Sequence, residues 1–101
     1  MFRNRRNTQR QDETKNEGGE LYALTDLAEG EKGIMVRALG GFGLVRRLAE
    51  MGLTPGVEVK MLRKGSFGGP VEIEVRGVAL ALGRGVASRV LVKPVKDEPH
   101  D

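Results

Sequence analysis

The chain has 101 residues, no cysteine and one histidine, and a net charge of +3 from 17 lysines and arginines against 14 aspartates and glutamates. This length predicts a single domain with a modest core. The absence of cysteine excludes disulfides, thiolate nucleophiles and cysteine-ligated zinc, while the mild positive charge permits nucleic-acid binding without requiring it.

The two ends of the chain are polar. Residues 1–20 contain no apolar side chain after Phe2, so burial cannot offset the entropy of ordering them, and we expect a disordered leader. Residues 96–101 are polar as well and are expected to fray, which leaves residues 21–95 as the folded unit. No apolar run follows the basic start of the chain or approaches the ~20 residues of a spanning helix, so we expect a cytoplasmic protein.

The first predicted elements surround a glycine-rich break. Residues 21–27 carry spaced leucines and predict a strand or a single turn that leads into the sheet. Residues 34–39 alternate well enough to predict a strand. The glycines of residues 40–43 end that strand and lead into a helix.

Residues 44–51 predict that helix, because their apolar side chains recur at positions i, i+1, i+4 and i+7, which places them on one face: Leu44, Val45, Leu48 and Met51. Gly52 stands where a left-handed C-terminal cap favours glycine. Pro55 and Gly56 then fit the central positions of a tight turn.

Two strands follow, over residues 57–62 and 71–76, joined by a loop that contains Gly69 and Pro70. Opposite charges that face each other across a hairpin stabilise it, and like charges destabilise it. This preference selects a register with two charge pairs, Lys60 opposite Glu74 and Glu58 opposite Arg76.

The remaining elements are a strand over residues 78–82, a short helical turn over residues 83–88 and a last strand over residues 89–93 that Pro94 ends. About five short strands with one inserted helix and a helical turn before the last strand predict a mainly β fold, a small closed barrel.

The sequence contains no candidate catalytic residue. The one histidine, His100, lies in the expected frayed tail, and Ser66 and Ser88 are not in a nucleophile pattern. The glycines of residues 40–43 lack the lysine and hydroxyl residue of a phosphate-binding loop. We therefore expect a protein that is not an enzyme and that has no cofactor.

Metal binding has weak candidates only. Asp26, Glu29 and Glu31 gather in one segment, but without a histidine or cysteine beside them they would form a weak oxygen site. We expect no metal site, and a solvated charge cluster is the favoured interpretation.

The best candidates for partner binding lie on the helix and on the hairpin loop. Arg46, Arg47 and Glu50 fall outside the apolar face of the helix, where they are either solvated or part of a docking surface. Phe67 lies at a loop tip between glycines, where it either folds back as a core plug or contacts a partner.

The segment LAEMGLTPGVEV, with the later segments FGGPVEIEVRG and LALGRGVASRVLV, resembles the ferrous iron transport protein A family (FeoA). The resemblance covers residues 21–95. The residues that carry it, in order, are Leu27, Gly30, Leu48, Met51, Gly52, Leu53, Pro55, Gly56, Gly69, Pro70, Leu82, Ala87 and Val90.

The resemblance implies an SH3-like barrel with a helix inserted after the first barrel strand. It implies an accessory protein of bacterial ferrous iron uptake, whose partner is the cytosolic GTP-binding domain of an iron permease, and which meets the membrane only through that partner. Weak transition-metal binding is implied as well. The same fold occurs as the C-terminal domain of metal-dependent repressors.

Two other functions remain open at this point, a nucleic-acid-binding small barrel and a stand-alone relative of that repressor domain. The exposed aromatic residues on which nucleic-acid bases stack are scarce, because the chain has one tyrosine, three phenylalanines and no tryptophan. We therefore expect protein contact and no nucleic acid.

Overall fold

The structure is a computed structural model, and it describes residues 20–96. The expected folded unit lies within this range. The expected disordered leader and frayed tail lie outside the described residues, apart from one residue of each.

Six strands and two α-helices make up the described chain. In order they are β1 (Tyr22–Ala23), a 3-10 turn (Leu24–Asp26), β2 (Lys32–Ala38), α1 (Phe42–Glu50), β3 (Glu58–Lys64), a second 3-10 turn (Ser66–Gly68), β4 (Val71–Val75), β5 (Val78–Leu82), α2 (Arg84–Ala87) and β6 (Val90–Val95).

The strands form one sheet in the order β1-β6-β2-β3-β4-β5, with every neighbouring pair antiparallel. The mainly β, SH3-like architecture with a helix between the second and third strands is confirmed. A sixth strand appears because the lead-in segment contributes β1, which pairs with β6. The expectation of a closed barrel is wrong for residues 20–96: β1 is two residues long and the chain turns away after it, so it does not reach β5.

The core is filled by alternate residues of the strands and covered by the helices. On β3 and β4 the inward side chains are Val59, Met61, Val71, Ile73 and Val75, all buried. Leu48 of α1 and Ala87 of α2 are buried against them. Each fully buried aliphatic side chain stabilises the fold by about 1.5–3 kcal/mol, so these layers supply most of the folding free energy of a domain this small. The described residues bury no charged or polar side chain.

The hairpin register agrees with the charge argument in its central part. Lys60 pairs with Glu74, and Met61 pairs with Ile73. A β-bulge follows Met61, so that Arg63 lies opposite Glu72, where the two side chains form an ion pair of 3.3 Å. A bulge adds one residue to one strand and raises the local twist, which no charge pattern could have indicated.

The second predicted charge pair is not part of the ladder. β4 ends at Val75, and Arg76 lies in the two-residue turn that leads to β5. Glu58 is paired with Ile34 of β2 instead, and its carboxylate lies 3.7 Å from the ammonium group of Lys32.

The prediction that Pro94 ends the last strand is wrong. β6 continues to Val95, and Pro94 pairs with Gly33 of β2. β1 pairs only with Leu91 and Val92, so beyond them one edge of β6 has no strand beside it within residues 20–96. A proline lacks one backbone donor, and a strand tolerates this loss on an unpaired edge.

α1 starts two residues earlier than predicted and ends with a glycine cap. Its N-cap residue is Gly41, which has no side chain that could signal the start of a helix. At the other end Gly52 has a φ of 92°, and the amide of the buried Leu53 donates to the carbonyl of Leu48 at 2.9 Å. This is the hydrogen bond of a left-handed cap, and it fixes the direction in which the chain leaves the helix.

A tight turn then returns the chain to the sheet. Pro55 and Gly56 occupy its two central positions, Gly56 has a φ of 94°, and the amide of Val57 donates to the carbonyl of Thr54 at 3.1 Å. A φ near this value at the third position of a turn favours glycine. The cap and the turn together place α1 beside β5 and α2.

Candidate docking surface

The outward face of α1 carries two arginines with different surroundings. Nε of Arg46 lies 3.9 Å from the carboxylate of Glu50 one turn later, and both side chains are about two-thirds exposed. Arg47 is also exposed, and within residues 20–96 its side chain forms no ion pair. Arg47 is therefore the helix residue of the predicted set whose charge is available to a partner.

The apolar stripe of α1 is narrower than the sequence predicts. Leu48 is buried and Leu44 packs against the core, but Val45 is 41% exposed. Val45 follows Leu44 by about 100° around the helix and so lies beside the buried face rather than on it.

Phe42 was missed as an exposed aromatic residue. It is 79% exposed, and it lies three positions before Val45 on the same side of α1. Their spacing of three residues indicates a second apolar stripe on the helix. The sequence did not reveal it, because it gave no sign that the helix begins at Phe42.

A groove of about 200 Å³ separates α1 from the end of β5 and from α2. Its apolar lining is supplied mainly by leucines, methionine, alanine and valine, and Arg47 lies at its edge. The residues that line it are Leu44, Arg47, Leu48, Met51, Ala81, Leu82, Gly83 and Val86. A groove of this size accommodates one or two side chains of a partner rather than a cofactor.

The loop of residues 65–70, called here the Phe67 loop, joins β3 to β4. The side chain of Phe67 is fully exposed, so Phe67 does not plug the core. Its backbone has φ 54° and ψ 43°, a left-handed conformation that a non-glycine residue rarely adopts. Gly68 has a positive φ as well, so two consecutive residues of the loop are in the left-handed region.

The ends of the Phe67 loop approach each other closely. The amide of Gly65 donates to the carbonyl of Pro70 at 2.9 Å, and the amide of Gly69 donates to the carbonyl of Ser66 at 3.0 Å. A Cβ atom on Gly65 would lie 2.7 Å from the carbonyl oxygen of Pro70, so this position requires glycine.

Arg84 connects α2 to this loop, and sequence reasoning missed it. Its Nε donates to the carbonyl of Gly69 and its Nη2 to the carbonyl of Gly65, each at 3.1 Å. The acceptors are backbone atoms 15 and 19 residues away, and no residue type marks such a contact in a sequence.

The groove and the Phe67 loop are neighbouring parts of one surface. Ala81 lines the groove, and it also lines a shallow depression of about 300 Å³ together with Gly65 and Pro70 of the loop. Arg84 follows Gly83, another residue of the groove. The groove that Arg47 lines and the ends of the Phe67 loop therefore meet at Ala81 of β5.

The three acidic candidates for a metal are engaged by backbone amides. Asp26 accepts from the amide of Ala23, Glu31 from that of Ala28, and Glu29 from that of Lys64 across the molecule. In the described part of the chain no group of three or more histidine, cysteine, aspartate or glutamate side chains is arranged to hold a metal ion. The three carboxylates are therefore not brought together as ligands.

No helix within residues 20–96 has the length and apolar character needed to cross a membrane. The hydroxyl of Tyr22 donates a hydrogen bond to Glu20, and this bond raises the pKa of Tyr22. Tyr22 and Glu20 neither line the groove nor belong to the Phe67 loop.

Comparison with known proteins gives one consistent family. The model of the FeoA domain matches residues 22–94. An Fe(2+) transport protein A of Methanocaldococcus jannaschii is 36% identical over 73 residues, which make up 72% of this chain and 87% of that protein.

Solved structures agree. The crystal structure of an iron uptake regulatory protein (FeoA) is 40% identical with a TM-score of 0.70, and the match covers 74% of this chain and 99% of that one. A manganese-dependent transcriptional repressor complexed with manganese is similar as well, with a TM-score of 0.70 over 76% of this chain and 38% of its own. Its identity is 19%, so this second likeness concerns the fold alone.

Proposed function

The chain belongs to the FeoA family of ferrous iron transport accessory proteins, and from that premise we propose that it acts by docking on the cytosolic GTP-binding domain of a ferrous iron permease. It meets the membrane through this partner, in the cytoplasm. The docking surface consists of Arg46, Arg47 and Glu50 on α1, the groove beside α1, and Phe67.

The observation that carries the proposal is the exposure of Phe67. A fully exposed aromatic ring in a strained loop contributes nothing to the core and leaves apolar surface in water. Interface energy concentrates in a few aromatic and arginine residues, because a ring removes a large apolar area from water when a partner covers it.

The helix supplies the polar part of the surface. Arg47 lies at the edge of the groove, and a guanidinium can bind a carboxylate through two parallel hydrogen bonds. A partner side chain in the groove would bring a neighbouring acidic residue within reach of Arg47. The charge of Arg46 is partly offset by Glu50, so Arg47 is the arginine of α1 that contributes more to steering association.

The test is a binding measurement between the full chain and the purified cytosolic domain of the permease from the same genome, without nucleotide, with GDP and with a GTP analogue. We expect binding of the wild type, and an increase of about tenfold or more in the dissociation rate for Phe67→Ala. Val78→Ala is the matched control, because Val78 is an exposed apolar residue at the start of β5, opposite the end of β4 that lies farther from the Phe67 loop. An absence of binding in all three nucleotide states would overturn the proposal.

A further inference from the structure

Among residues 20–96, the side chain that hydrogen-bonds to the Phe67 loop from outside is that of Arg84. The guanidinium of Arg84 donates to the carbonyls of Gly65 and Gly69, which lie near the two ends of the loop. A guanidinium presents its donors in a fixed planar fork, so it can hold two acceptors in one geometry. The ammonium group of a lysine is a single point charge and cannot reproduce this arrangement.

Arg84 is itself fixed to the core of the protein. It begins α2, whose Ala87 is fully buried and donates its amide to the carbonyl of Gly83 at 2.9 Å. The hydrogen bonds from the guanidinium are partly buried as well. The fork is therefore attached through α2 to the core.

Phe67 cannot hold its own position. Its ring is fully exposed among residues 20–96, and a left-handed conformation at a non-glycine residue persists only where the surrounding structure imposes it. The backbone hydrogen bonds from Gly65 to Pro70 and from Gly69 to Ser66 close the loop upon itself and involve no other segment of residues 20–96. Arg84 connects the loop to α2 at both ends.

We propose that Arg84 is a positioning residue for docking, which keeps the Phe67 loop ordered so that the ring meets its partner already in place. This inference rests on the proposed function. A loop that is ordered before binding avoids the entropy cost of ordering it during binding, and the complex gains affinity. The partner then needs an apolar pocket for a single ring, and it makes no contact with Arg84.

A double-mutant cycle with Arg84→Lys and Phe67→Ala tests this role, with binding to the permease's cytosolic domain as the readout. Arg84→Lys keeps the charge and removes the fork, and we expect it to weaken binding by about tenfold. In the Phe67→Ala background the same change should have almost no further effect. Arg89→Lys is the matched control, because Arg89 is exposed and its side chain forms no ion pair within the described residues.

The outcomes separate the two proposals. If Phe67→Ala leaves the affinity unchanged, the assignment of Phe67 to the docking surface fails. If Phe67→Ala weakens binding and Arg84→Lys adds an independent loss, the positioning role of Arg84 is overturned.

A second readout needs no partner. Backbone ¹⁵N relaxation should show that Arg84→Lys makes the amides of Phe67 and Gly68 mobile, while those of β4 stay rigid and the melting temperature changes little. Unchanged order in the loop would overturn the inference even if no binding partner were found.

Discussion

Arg46 and Glu50 lie one turn apart on α1, with Nε of the arginine 3.9 Å from the carboxylate of the glutamate. The pair joins two of the residues that we propose for the docking surface. Glu50 partially neutralises the charge of Arg46. The neighbouring Arg47 forms no ion pair with any described residue, so its charge is the more available of the two.

Arg47→Glu should lower the rate of association with the permease's cytosolic domain by about tenfold and make that rate less sensitive to salt, because exposed charges act mainly on diffusional encounter. Stopped-flow mixing at several salt concentrations measures this. Arg46→Glu is a poorer test, since it places like charges one turn apart and lowers helix stability. An unchanged association rate for Arg47→Glu would show that the partner does not meet this face of α1.

Phe67→Asn should raise the stability of the protein while it weakens binding to the partner. Asparagine adopts the left-handed conformation more readily than phenylalanine, so we expect the free energy of unfolding to rise by about 0.5 kcal/mol. Affinity for the partner should fall as far as it does in Phe67→Ala, because both variants lack the ring. Chemical denaturation and binding measurements on the same samples check both parts. A loss of stability would mean that the ring packs on the protein in solution.

Gly65→Ala should destabilise the protein by about 1–3 kcal/mol, because the added Cβ would lie 2.7 Å from the carbonyl oxygen of Pro70 and neither backbone segment can move freely. Gly85→Ala is the control, and we expect it to stabilise the protein. Its Cβ would meet no atom within 4 Å, and alanine in a helix is favoured over glycine by about 0.5–1 kcal/mol. Thermal denaturation of the two variants should therefore shift in opposite directions.

Fe²⁺ should bind the isolated protein weakly. Asp26, Glu29 and Glu31 already accept hydrogen bonds from backbone amides, and a metal ion would have to compete with those bonds. Anaerobic calorimetric titration should show no saturable site at micromolar concentrations. A tight one-to-one site that is lost in Glu29→Gln would contradict this prediction and point to the segment between the first 3-10 turn and β2.

The sequence predicted those features that depend on local chemistry. The charges of Lys60 and Glu74 identified the hairpin register, because opposite charges select among registers that a pattern of apolar residues leaves equivalent. The start of α1 could not be predicted, since its N-cap Gly41 carries no side chain. Arg84 was missed for a different reason: its contacts are with backbone carbonyls, which every residue possesses.

The open side of the sheet has a consequence for how the protein behaves in concentrated solution. β5 is an edge strand of the sequence VALAL, and no other strand of residues 20–96 pairs with its outer side. Edge strands without charge or proline are templates for further strands, which is a route to aggregation. Ala81→Lys should therefore raise the solubility of the protein, because a charged side chain on β5 would disfavour the pairing of this edge strand with a strand of a second molecule.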